Sequence, residues 1–138
     1  MRKGLLLLLV SVCLGGGIAL AAGPKEDPFK GKLFAPNVIL ENRDALGLSK
    51  EQFTDIRRAV VEVQANVAEH EWDVAEAYQE LMAELDKAPI DEGAVLEHVE
   101  AALVAENEVK KLQVTMLVRL KNLLTDEQIA YLESQRDD

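Results

Sequence analysis

The sequence predicts an all-α protein built on one long antiparallel helical hairpin with short flanking helices. Three observations predict it. Apolar residues recur at helical spacing from Ser49 to Leu124. One interruption falls inside that stretch, at Lys87-Ala88-Pro89-Ile90, where the chain must reverse. Two near-copies of one phrase bracket it, Leu48-Ser49-Lys50-Glu51-Gln52-Phe53 and Leu124-Thr125-Asp126-Glu127-Gln128-Ile129.

Taken in order, residues 1–22 have the form of an export signal. Arg2 and Lys3 precede an apolar run, Gly15-Gly16-Gly17 interrupts it, and small residues end it at Ala19-Leu20-Ala21-Ala22. The fully apolar run is too short for a membrane span, so none is expected after cleavage. Residues 23–35 are polar at first, contain Pro24 and Pro28 and show no periodicity, which predicts a flexible leader. Residues 36–138 form the helical domain. A short helix is expected over Asn37–Leu46, ended by Gly47 in a left-handed cap. Ser49 then caps the first long helix, with Gln52 reaching back and Leu48 and Phe53 as a hydrophobic staple. Its inner seam steps Phe53, Ile56, Val60, Val63, Val67, His70, Val74, Ala77, Leu81. At about 38 residues it spans roughly 55 Å. Asp91 opens the return helix, whose expected stripe is Leu96, Val99, Leu103, Val109, Leu112, Met116, Leu117, Leu120 and Leu123. Thr125 and Gln128 start a last short helix over Asp126–Gln135, with Leu124 and Ile129 as its staple. A hairpin of two helices is thin, so the flanking helices and a second copy, giving a homodimer, are expected to complete it.

Loss of residues 1–22 removes two basic residues and no acid, leaving 13 Lys+Arg against 25 Asp+Glu, a formal charge of −12. Nucleic acid requires a basic footprint and is not an expected partner. The single cysteine, Cys13, lies in the signal, so the mature chain has no disulfide and no thiol chemistry.

An export signal, a long helical hairpin and paired Leu-[Ser/Thr]-x-x-Gln phrases resemble the Spy/CpxP superfamily of periplasmic stress proteins, over roughly Pro36 to Gln135. The resemblance implies a curved all-helical dimer in the periplasm. It implies one of two functions: protection of unfolded protein without ATP, or metal sensing and heavy-metal resistance with a membrane-bound signalling partner. Leu48, Ser49, Gln52, Leu124, Thr125 and Gln128 match the family phrase, and their expected role is structural. At the positions where metal-sensing members carry ligands, this chain has Ile39 and Arg43, then Met116 and Leu120. Spy-like chaperones present a basic concave surface, whereas this chain is acidic.

Three constellations are candidates for chemistry. Across a tight hairpin, facing residues have numbers summing to about 177, which sets His70 opposite Glu106. Two readings stand: a hydrogen-bonded pair that fixes register, or a weak divalent transition-metal site completed by Glu71 or Asp73 or by a second chain. Otherwise no cofactor is expected. The second is an acidic field: from Ala59 to Val109 there are 14 acids and one basic residue, Lys87. Glu69, Asp73, Glu76 and Glu80 share one helix flank, either as a solvated face or as a surface for basic clients. The third is Trp72, on the face away from the hairpin partner, with Tyr78 on the flank of the seam. Trp72 there predicts a dimer contact, a client surface, or packing against the N-terminal segment. No Ser-His-Asp set is recognisable and His98 is expected at the surface, so an enzyme is not expected. The reading is a chaperone-like periplasmic protein, with metal sensing as the alternative.

Overall fold

The structure, a computed structural model, describes residues 28–135. The expected export signal and the first part of the leader lie outside the described residues. Five helices follow in order: α1 (Pro36–Glu41), α2 (Arg43–Leu46), α3 (Lys50–Leu85), α4 (Glu92–Asn122) and α5 (Asp126–Ser134). Among the described residues there is no strand, only an isolated bridge between Lys30 and Leu33. The architecture is the expected one, with α3 and α4 packed as a helical hairpin and short helices flanking its open end.

Local chemistry sets the boundaries. Ser49 Oγ accepts from Gln52 N at 3.0 Å, and Gln52 Oε1 accepts from Ser49 N at 3.1 Å. Thr125 and Gln128 repeat that reciprocal box at the start of α5. Asp91 Oδ1 caps α4 by accepting from Ala94 N at 3.1 Å, without a reciprocal partner because Ala94 has no polar side chain. Gly47 follows α2 at φ 59°, the left-handed region that a Cβ disfavours. The single short helix expected over 37–46 is two helices, broken at Asn42 (φ −98°, ψ 12°). Asn42 Nδ2 donates to Val38 O at 2.8 Å, the local side-chain bond by which Asn competes with helical backbone bonds.

The last part of the expected leader is described. Residues 28–33 form a turn in which Phe29 O accepts from Lys32 N and Leu33 N, and Phe34 is buried. Lys121 holds this turn, its Nζ donating to Lys32 O at 2.6 Å and lying 5.7 Å from the centre of the Phe34 ring. Phe34 is the apolar anchor that the polar composition of the leader concealed.

The core sits at the open end of the hairpin. Phe34, Ile39, Leu46, Ile56, Ala59, Leu120, Leu124 and Leu132 form one buried cluster, drawn from α1 to α5 and the turn before them. Toward the tip only two helices remain, and the buried residues there are Ala77, Leu81, Ala102 and Ala105. The α3 seam faces inward throughout, as expected. The α4 stripe does not. Leu96 and Leu103 are 57% and 51% exposed, while the inner positions belong to Ala102 and Ala105. Bulk misleads here: on a 3.6-residue period the alanines lie inside and the leucines outside. Small inner side chains let the two helices approach closely.

Candidate functional site

The bracketing phrases meet. Gln52 Nε2 donates to Gln128 Oε1 at 2.8 Å and to Leu123 O at 3.0 Å. Gln128 Nε2 donates to Gln52 Oε1 at 3.2 Å and to Leu46 O at 3.1 Å. Each amide oxygen also accepts from its own cap residue's N–H, so both side chains have all donors and acceptors filled. The pair lies 76 residues apart in sequence and joins α3, α5 and the ends of α2 and α4. Leu124 is buried and Leu48 packs against the core. Capping accounts for half of these bonds. The cross-hairpin half was not foreseen, although two copies of one phrase at the two ends of a hairpin were its signal.

The residues proposed for a metal do not converge. Glu106 accepts from the Tyr78 hydroxyl at 2.9 Å, and no ion pair among the described residues joins it to His70. His70 Nδ1 lies 3.4 Å from Asp73 Oδ2 on its own helix, and its charge also bears on Glu108. Glu71 is exposed. Among the described residues no three His, Cys, Asp or Glu side chains are placed to hold a metal ion. Tyr78 rather than His70 takes Glu106, while His70 acts on Glu108, close to the expected register. Tyr78 is therefore half-buried and bonded across the hairpin. Its bond to Glu106, then burial, then the Glu106 charge raise the Tyr78 hydroxyl above its ordinary pKa of 10.0. The Glu108 carboxyl is held below its ordinary range by its hydrogen bond and charge attraction to Lys111, aided by His70.

His98 is closer to a built site than expected. Its Nδ1 lies 3.1 Å from Glu80 Oε2 and its Nε2 3.9 Å from Glu84 Oε1, across the hairpin. Lys87 reaches the same Glu84 oxygen at 2.6 Å. The facing-residue rule that selected His70 also selects Glu80 for His98. The bulk of neighbouring acids masked it.

The surface is the most distinctive feature. Trp72 is 78% exposed. Met82, Leu85, Ile90, Leu96 and Leu103 are also exposed, all in the half of the hairpin remote from the core. Glu69, Glu76 and Glu80 stand exposed among them. No described helix is long and apolar enough to cross a membrane. Compared with family models, curated proteins and solved structures, the chain matches none.

Proposed function

We propose that this protein is an exported envelope-stress chaperone of the Spy/CpxP type, which binds exposed segments of misfolded protein without ATP. One observation carries the reading. Large apolar side chains, Trp72, Met82, Leu85, Ile90 and Leu96, stand exposed among acids on the outer part of the hairpin. Exposed apolar side chains with charged neighbours are what polypeptide binding requires. Apolar burial drives such binding, and the acids select basic clients and speed encounter. The paired phrases, which resemble those of the family, support the same reading. Homodimer formation belongs to it: α4 carries Glu92, Glu97 and Glu100 in its first half and Lys110 and Lys111 in its second. An antiparallel second copy along α4 brings these opposite charges together.

The test is an aggregation assay with the mature protein and a denatured basic client, without nucleotide. Suppression at a stoichiometric ratio is expected, weaker for an acidic client and weaker in high salt. No suppression of the basic client removes the reading.

A further inference from the structure

The outer face of α3 carries a second apolar seam. Val61, Ala65, Ala68, Trp72, Ala75 and Met82 are all exposed, and with Gln79 they step 4-3-4-3-4-3 along the helix. That is the a/d pattern of a coiled-coil helix, on the face opposite the seam that packs against α4. The inner seam is needed for the hairpin. The outer one has no role in the fold of the described residues.

Its repeat selects the conformation of what lies on it. Seam residues recur every 3.5 residues, or about 5.3 Å of helix. Same-face side chains of an extended strand recur every ~6.7 Å and fall out of step within a few residues. A helix keeps step. The three alanines let a partner helix approach closely, and Trp72 at the centre of the seam gives it one large apolar anchor.

The flanks select its charge. Glu62, Glu69 and Glu76 line one side at heptad spacing, backed by Asp73 and Glu80, and Glu71 lies on the other side. Glu62 already meets Arg119 at 3.2 Å, whereas no ion pair of the described residues involves Glu69, Glu71 or Glu76. A second copy is a poor occupant. Laid antiparallel, it sets Glu69 against Glu76 and Glu71 against its own equivalent. Laid parallel, it gains Arg57 against Glu62 but sets Glu71 against Glu76. A helix with lysine or arginine beside its apolar seam meets complementary charge at Glu69, Glu71 and Glu76, around Trp72.

We propose that the outer seam of α3, centred on Trp72, is a docking site for a basic amphipathic helix of about three heptads in a partner protein. The inference rests on the reading that this protein binds other polypeptides, and names one surface and one class of partner for it. Trp72 is the chain's single tryptophan and reports directly on the site. The probes are two synthetic 21-residue helices of about 32 Å, with the same Leu/Ala seam and either Lys or Glu flanks. The Lys-flanked helix is expected to shift Trp72 emission to the blue, and the Glu-flanked helix to bind at least about tenfold more weakly. Glu69→Lys with Glu76→Lys should reverse that preference, and Ala68→Asp should abolish the shift while circular dichroism stays unchanged. Trp72 emission unmoved by the Lys-flanked helix overturns the proposal, as does equal binding of both helices. A blue shift that follows protein concentration alone and vanishes in Ala68→Asp overturns it too, by assigning the seam to a second copy. The two readings fail separately. Lack of aggregation suppression removes the chaperone without moving Trp72, and an unmoved Trp72 removes this site while leaving client protection to other surfaces.

Discussion

Gln128 is the one buried polar side chain of the described residues, and all of its hydrogen-bonding capacity is filled. Its Nε2 is irreplaceable because two acceptors, Leu46 O and Gln52 Oε1, face it. Gln128→Glu keeps the shape and removes the donor. It should destabilise the fold by about 2–4 kcal/mol near neutral pH, the penalty for opposing a buried carboxylate to unpaired acceptors. The introduced carboxyl regains a donor when protonated, so urea denaturation should show the loss shrinking as pH falls. A loss independent of pH would mean that the amide acts by packing alone. Tyr78 offers a second test at this scale. Its hydroxyl donates to Glu106, which raises its folded pKa above the ordinary 10.0. Stability from this bond is therefore complete below the unfolded pKa and lost as pH rises through the higher folded value. Ultraviolet titration of phenolate should show one tyrosine ionising late, and Glu106→Gln should bring it earlier by removing the charge while keeping an acceptor. An unchanged titration in that variant would contradict the assignment.

At the scale of the element, local signals carried the furthest. Ser49, Asp91 and Thr125 each cap the helix expected of them, because a cap is decided within four residues of sequence. The inner seam of α3 was legible for a similar reason: large residues at 3–4 spacing coincide with the buried face. α4 was legible only in its second half, where large residues face the core. In its first half the buried residues are alanines, and a search by bulk selects the exposed leucines instead. Facing pairs were less legible still. Long side chains reach past the residue directly opposite, so Tyr78 takes Glu106, while His70 also meets Asp73 on its own helix. The outer seam of α3 was hidden for the opposite reason. Its alanines look like filler until the exposed face is seen to repeat at 3.5 residues, and only Trp72 stood out. Phe34 is a single residue whose influence depends on its tertiary neighbours in the buried cluster, whereas Asn42 breaks the helix through a local bond to Val38 O that its residue type alone does not announce.

For the whole molecule, cohesion is uneven along the hairpin axis. Five helices and the Phe34 turn share the core at the open end, whereas the tip has two helices, small inner residues and crowded acids. Amide hydrogen exchange should follow this gradient. Segments around Met82 to Leu96 should exchange more than about tenfold faster than those around Ile56 and Leu120, since local opening is easiest where buried contacts are few. Uniform protection from base to tip would refute the gradient. The same unevenness has a consequence for reach. Gln52 and Gln128 close the open end independently of what lies between them, so the base is a socket and the paired helices are an arm mounted in it. Arm length is then separable from fold. Matched gain or loss of seven residues on each helix preserves both seams of α3 and changes the arm by about 10 Å. A single architecture of this kind supplies calipers of graded span, with the distance from socket to tip set by heptad count alone.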